Sequence, residues 1–281
     1  MDHIPVMCKE VLDALSLHEG AKVLDATVGL GGHAEKILEA IGPNGHLTAF
    51  DRDEQNLLEA KKRLTRFDGQ ITFIHDSFGN IAHHDLPAMD ALLFDLGFSS
   101  VHVDDPSRGF SFQTDGPLDM RYNIHDEVSA ETIIATYSED QLAEIFRLYG
   151  EEKLARPIAQ AICKTRAKTP IKSTLQLADL ITSIKPRRGR IHPATQVFQA
   201  LRMAVNNELG EIEKGLGAGT EILTSGGRAA IITFHSLEDR LVKNYFKNPI
   251  FVNNELVKPS QEEIEANPRS RSAKLRIALK K

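Results

Sequence analysis

Apolar runs of four or five residues recur through the first hundred positions, at 22–26, 47–50, 71–75 and 91–95. Between the first three lie stretches with apolar residues every three to four positions, at 33–41 and 54–66, which predict amphipathic helices. Short strands alternating with helices predict a parallel sheet with right-handed crossovers. The alternation then stops. Residues 104–114 are rich in Pro, Gly, Ser and Asp and read as a long loop. Residues 130–209 are helical in pattern, with Pro157, Pro170, Pro186 and Pro193 marking breaks or first turns. A helix over 212–223, a Gly226-Gly227 turn, a strand over 228–234, a helix over 238–246 and a strand over 274–279 complete the pattern. The chain is therefore expected to be an α/β protein with a doubly wound sheet, interrupted by a helical insert of roughly eighty residues. Residues 1–110 and 211–281 are expected to form the discontinuous sheet domain, and residues 111–210 the loop plus helical insert.

A hydrophobic content of 41% over 281 residues is enough for a real core. No early segment joins a basic start to an apolar run and a cleavage site, and no apolar run could span a bilayer, which points to the cytoplasm. Cys8 and Cys163 have no partner spacing, so neither a disulfide framework nor a thiolate zinc site is suggested. The net charge of −5 conceals an asymmetry. Residues 151–200 hold ten Lys or Arg, Arg187, Arg188 and Arg190 among them, against three acids; the last fifteen residues add six more with no acid. Two basic zones on an acidic protein are a candidate footprint for a phosphate backbone, or else solvated faces.

In an open parallel sheet, ligands bind beyond the carboxyl ends of the strands. The first strand runs into Asp25-Ala-Thr-Val-Gly29-Leu-Gly31-Gly32-His33. Glycines let the backbone approach a ligand, and the helix that follows points free N–H groups at it. Asp51 closes the second strand, where a carboxylate can take both ribose hydroxyls. The loop alone does not choose its cofactor, since Gly29-x-Gly31-x-x-Ala34 also satisfies the NAD fingerprint. Asp25, at the strand end, resembles the acid of S-adenosylmethionine (SAM) methyltransferases that lies near the amino-acid end of the cofactor. After the third strand, Asp76 can accept from an adenine amine while Phe78 covers the ring. Each acid alone also suits a helix N-cap. Asp95-Leu-Gly-Phe98 resembles the acid-x-x-aromatic motif of amino-methylating enzymes. There a carboxylate or carbonyl pulls an exocyclic N–H out of conjugation, and an aromatic face holds the base in line with the sulfonium methyl; core packing is the other reading of Phe98. His235-Ser-Leu-Glu238-Asp239 reads as a helix-start network or substrate contact rather than a metal site, and His83-His84-Asp85 as surface loop.

Together with Arg108-Gly-Phe110, Pro117-Leu-Asp-Met-Arg121, Tyr149-Gly-Glu151-Glu152, His192-Pro-Ala-Thr195, Phe198-Gln-Ala-Leu-Arg202, His235-Ser-Leu-Glu-Asp-Arg240 and the opening His3-Ile-Pro5-Val6, these segments resemble one family nearly end to end. It is the SAM-dependent methyltransferases that modify the N4 amine of a cytidine in bacterial 16S ribosomal RNA. The resemblance implies a class I methyltransferase fold, with SAM contacts from Gly31, Gly32, His33, Asp51, Phe78, Asp95 and the position of His102, where the family has glutamine. Phe98 stands where a smaller aliphatic residue is usual, and Tyr122 where Met is usual.

The expected reaction is transfer of the SAM methyl to cytidine N4 within the small ribosomal subunit, without a metal. Asp95 and Phe98 are the expected catalytic residues. Asp25 is placed near the methionine end of the cofactor, and Arg121, His192, Arg202, His235 and Arg240 on the substrate side. A homodimer is compatible with the sequence. Two alternatives are an NAD-dependent oxidoreductase, which lacks a Tyr-x-x-x-Lys set here, and a non-catalytic ribosome assembly or RNA-binding factor on the same fold.

Overall fold

The computed structural model describes residues 5–187, 189 and 191–281. His3 and Ile4 of the opening motif, and Arg188 and Arg190 of the basic cluster, lie outside the described residues. The chain divides into two compact units, Met1–Gly97 with Leu209–Lys281, and Phe98–Glu208.

The first unit opens with α1 (Cys8–Leu15), β1 (Lys22–Asp25), α2 (Gly32–Ile41), β2 (His46–Asp51), α3 (Glu54–Arg63), β3 (Ile71–His75) and β4 (Met89–Asp95). The second unit carries α4 (Ser100–Asp104), α5 (Ala130–Thr136), α6 (Glu139–Leu148), α7 (Ala155–Arg166), α8 (Thr174–Ile184) and α9 (Thr195–Val205). The chain then continues with α10 (Glu208–Ile222), β5 (Leu223–Thr233), α11 (Ser236–Tyr245), β6 (Phe251–Val257), α12 (Gln261–Ala266) and β7 (Lys274–Lys280).

Among the described residues, seven strands form one sheet in the order β3-β2-β1-β4-β5-β7-β6. The first five are parallel, and β7 runs antiparallel to both β5 and β6. Alternation along the strands sends side chains to two cores. Val23, Leu47, Ala49, Leu93 and Ile232 pack with Val11, Ile37 and Leu57 of the first three helices. Leu24, Phe50, Leu92, Phe94 and Ile231 pack with Ile212 and Leu216 of α10 and Val242 of α11. Because the chain reverses direction in strand order between β1 and β4, the carboxyl ends of β2, β1 and β4 lie side by side, and each ends in an aspartate.

The second unit has its own core, including Leu118, Ile133, Phe146, Ile158, Leu177, Val197 and Leu201. Ser129, Ser138 and Ser173 start α5, α6 and α8 with reciprocal capping boxes. The expected boundary after residue 110 moves to Gly97. Phe110 stacks on Phe98 (ring centroids 6.2 Å apart), His102 (4.8 Å) and Tyr122 (5.5 Å), which ties residues 98–110 to the helical unit.

Other departures have local causes. The expected Gly226-Gly227 turn is a bulge inside β5: Met89 pairs with Leu223 but Ala91 with Arg228, and Gly226 takes up the extra chain at φ +81°. The expected loop 104–114 contains a 3₁₀ turn at Pro106–Arg108 started by the Asp105 side chain. Strand β6 had no counterpart in the pattern. Among the described residues no helix is long and apolar enough to cross a membrane.

Candidate active site

At the end of β1 the Asp25 carboxylate is 1% exposed. Its Oδ1 accepts the Thr27 N–H at 3.1 Å, while Oδ2 has no hydrogen-bond partner. The chain then turns through Gly29 (φ +51°) and Gly31 (φ +80°), a left-handed conformation that an L side chain would strain. A Cβ on Gly31 would also lie 3.2 Å from Leu64. Gly31 is the N-cap of α2 and offers no side chain to its first N–H groups, so that helix end is available to an anion. The loop is tied to the next strand: the Gly29 N–H donates to Asp51 Oδ2 at 2.8 Å. Asp51 Oδ1 accepts the Asp53 N–H at 2.8 Å, and Asn56 donates from 3.3 Å. Each carboxylate oxygen accepts about two bonds, so with these three donors in place Asp51 retains room for one further hydroxyl.

Asp95 ends β4. Its N–H donates to Thr27 Oγ1 at 2.6 Å, its Oδ2 lies 3.6 Å from His33 Nε2, and its Oδ1 is buried without a hydrogen bond. Burial pushes all three acids up: Asp25 to about 7 despite the Thr27 N–H, Asp51 to about 6 despite its donors, and Asp95 to about 8. For Asp95, repulsion from Asp25 and Glu238 adds to burial. Its side chain still keeps 25% of its surface, so its desolvation is partial and the energetic cost smaller than full burial implies.

Several expected site residues are engaged elsewhere. Asp76 Oδ1 accepts from the Ser77 N–H and Asn80 Nδ2, both at 2.7 Å, and Oδ2 lies 2.9 Å from His84 Nε2. Burial would raise its pKa, but these bonds outweigh it and hold the carboxyl below its ordinary value. Asp76 therefore braces its own turn. His84 is the brace, with its ring edge-on to Phe50 at 5.2 Å, and not simply surface loop. Phe78 follows, half-buried, edge-on to Phe94 at 5.5 Å. His235 is the N-cap of α11: Nδ1 accepts the Glu238 N–H, Nε2 lies 2.9 Å from Glu238 Oε1, and Glu238 Oε2 takes the Phe234 N–H at 2.8 Å. This is the helix-start network. Arg240 is exposed on the same helix.

In the second unit, Phe98 is 45% exposed, against the reading of core packing, and the Arg202 guanidinium lies over its ring at 4.5 Å. Arg202 is itself buried and bonds Glu208 through Nε at 2.8 Å and Nη2 at 2.9 Å, while Tyr122 donates to the same carboxylate at 3.0 Å. Arg121 grips Asp119 through two bonds (2.9 and 2.6 Å) and the Asp126 carbonyl at 2.7 Å. Both arginines thus hold the fold, because their fork geometry is spent on carboxylates of the same unit. His102 is 3% exposed, and its Nδ1 accepts the Ser99 N–H at 3.2 Å in the cap of α4. Where the family's glutamine would meet the cofactor, this ring is packed against Phe110 and Tyr122. His192 accepts the Ala194 N–H at 3.2 Å and lies 4.6 Å from Phe112.

The basic zones are also partly consumed. Lys274 and Arg276 bind Asp239 (2.9 and 2.6 Å), and Lys280 binds the carbonyls of Thr220 and Leu223. Lys185 is paired with buried Glu152 at 2.6 Å, and Arg166 with the carbonyls of Ile134 and Tyr137. Lys153, Lys164, Lys168, Lys172, Arg187, Arg269, Arg271 and Lys281 stay exposed. Sequence reasoning gave no role to Glu208 or Glu211; Glu211 meets Ser77, distant in sequence, and no spacing signal marks either acid.

The sheet order with an antiparallel seventh strand, and a glycine loop between three strand-end acids, define a class I, SAM-dependent methyltransferase. The two partnerless buried oxygens and the uncapped helix suit a ligand carrying both a cation and a carboxylate, as the amino-acid end of SAM does. The chain belongs to the MraW methylase family, whose model matches residues 1–254. It is 46% identical to a Cyanothece sp. protein (98% of this chain, 94% of that one) and 44% identical to one from Trichlorobacter lovleyi (99% and 98%). A Desulfotalea psychrophila relative is also 44% identical (99% and 98%), and all three are named Ribosomal RNA small subunit methyltransferase H.

Proposed function

We propose that this enzyme transfers the SAM methyl to the N4 amine of a cytidine in 16S ribosomal RNA of the small subunit. The observation that carries the reading is the row of Asp51, Asp25 and Asp95 on three neighbouring strand ends, two of them with a buried oxygen lacking a hydrogen bond. When bound, SAM supplies an electrophilic methyl on sulfur, so no further activation of the donor is needed.

The chain's own residues then have defined tasks. Asp51 takes a ribose hydroxyl; Gly31, Gly32 and His33 bring backbone and α2 to the amino-acid end, with Asp25 beside it; Phe78 covers the adenine. Asp95 accepts an N–H of the cytosine amine, drawing the nitrogen lone pair out of the ring so that it can attack. A cation beside Asp95 stabilises its ionised form, which is the accepting form. Phe98 presents an aromatic surface to the base. His102, Arg121 and Arg202 are assigned to holding the second unit rather than to ligands. His192, His235 and Arg240 remain on the substrate side, and the exposed part of the basic zones contacts phosphates.

The names of the relatives support ribosomal RNA of the small subunit as substrate; the Asp95-Leu-Gly-Phe98 chemistry supports an exocyclic amine. Incubation of the protein with radiolabelled SAM and unmodified small subunits, followed by nucleoside mapping, tests this reading. Label in N4-methylcytidine is expected. Label on another nucleoside refutes the target, and no label at all favours an assembly factor.

A further inference from the structure

The turn after β3 is held from outside by a residue to which neither the motifs nor the proposed reaction gives a role. Ser77 caps a 3₁₀ turn over Phe78–His83, and its hydroxyl accepts the Gly79 N–H at 3.2 Å. The same hydroxyl donates to Oε2 of Glu211, which reaches across from the first turns of α10. Glu211 is largely buried, with a side-chain exposure of 15%, and its other neighbour is the exposed Lys214 at 3.3 Å. Its carboxylate lies so close over the turn that a Cβ on Gly79 would come within 2.7 Å of Glu211 Cδ. One helical turn further along α10, Gly215 makes room for Phe78: a Cβ there would stand 2.6 Å from Phe78 Cδ2. Two glycines and one carboxylate therefore fix where the Phe78 ring sits, although a glycine inside a helix costs about 1 kcal/mol relative to alanine.

We propose that Glu211 is a positioning residue of the adenine subsite: by accepting the Ser77 hydroxyl over Gly79, it sets the Phe78 turn at the height a purine ring requires. The proposal rests on the assignment of Phe78 to adenine. Asp76, the acid expected to serve the adenine, bonds Ser77, Asn80 and His84 within the turn. Glu211 supplies the contact from the neighbouring helix that the turn cannot supply itself. A bond from a hydroxyl to a charged carboxylate, lost from a buried site, corresponds to about a tenfold change in an equilibrium constant.

The test is a double-mutant cycle of Glu211→Ala and Gly79→Ala, with Glu211→Gln as the conservative variant. Gly79 does not have a positive φ, so alanine fits its backbone and acts by displacing the carboxylate. Calorimetry should show SAM and S-adenosylhomocysteine binding about tenfold more weakly in each single variant, with no further loss in the double. Glu211→Gln, which keeps an acceptor for Ser77, should recover most of the affinity. KM for SAM should rise while kcat at saturation holds, and amide exchange across residues 77–80 of the ligand-free protein should accelerate. Unchanged SAM affinity in Glu211→Ala, or additive losses in the double variant, overturns the proposal. Failure of the wild-type protein to bind SAM would instead overturn the functional reading beneath it.

Discussion

Replacing Asp95 by Asn should stabilise the ligand-free protein while disabling it. The folded carboxyl holds its proton up to about pH 8, whereas the ordinary value is 3.8. Between those values the folded state binds more protons than the unfolded one, so the wild-type chain loses stability as pH rises through that window. At about 1.4 kcal/mol per pH unit, the penalty at pH 7 is on the order of 4 kcal/mol for full burial. The side chain is 25% exposed, which reduces the expectation to about 2 kcal/mol. An amide carries no charge to desolvate. For a chain of this size, about 2 kcal/mol raises Tm by roughly 4–8 °C. Thermal unfolding of both proteins without ligand should show that gain at pH 8 and a difference of no more than about 2 °C near pH 3, below both values, where the wild-type carboxyl is protonated in both states. Methyl transfer should meanwhile fall by at least about 10²-fold. An Asn variant no more stable than wild type at pH 8, or a gain that does not change with pH, would refute the burial of an ionisable group at this strand end.

Asp51→Ala removes both the ribose acceptor and the anchor of the Gly29 N–H, and calorimetry should show SAM affinity reduced by more than about 100-fold; retained affinity would remove the ribose assignment. Phe98→Leu should raise KM for the small subunit about tenfold with SAM affinity unchanged, since stacking on a base is worth about 1–3 kcal/mol; an unchanged KM would leave the ring without a substrate role. Arg202→Met leaves the buried Glu208 carboxylate without its bidentate partner and should cost about 3–5 kcal/mol of stability in denaturant unfolding, a loss that a surface phosphate contact would not show. Arg187→Ala should lower the slope of log K against log salt for RNA binding by up to about 0.9, and an unaltered slope would take that residue out of the footprint.

The sheet was legible where period and burial agree. Strands β1, β2 and β4 are buried on both faces, so their apolar runs stand out, and the Asp closing each falls at a position that topology turns into a site. Strand β6 was invisible for the opposite reason: Phe251-Val-Asn-Asn-Glu-Leu-Val257 is an edge strand exposed along most of its length, paired on one side by β7 alone. Charge was the least legible property. A count sees Arg121, Arg202, Lys185 and Arg276 as basic surface, yet each is committed to a carboxylate; for Lys185 and Arg276 the partners, Glu152 and Asp239, are brought near only by the folded chain. The same holds for His102, whose place in the motif pointed to a ligand and whose ring is taken by an aromatic stack.

The second unit leaves the sheet at Gly97, two residues after β4, and returns at Leu209, one residue into α10. The strand, helix α10 and β5 would form an ordinary parallel crossover without anything between them. The helical unit therefore occupies what in a minimal α/β protein is a single loop. In evolutionary terms, this is a position where one module can be exchanged for another while the strand-end acids, all drawn from the flanking chain, stay untouched. A chimera made at Gly97 and Leu209 therefore leaves Asp25, Asp51, Asp95 and the glycine loop in place.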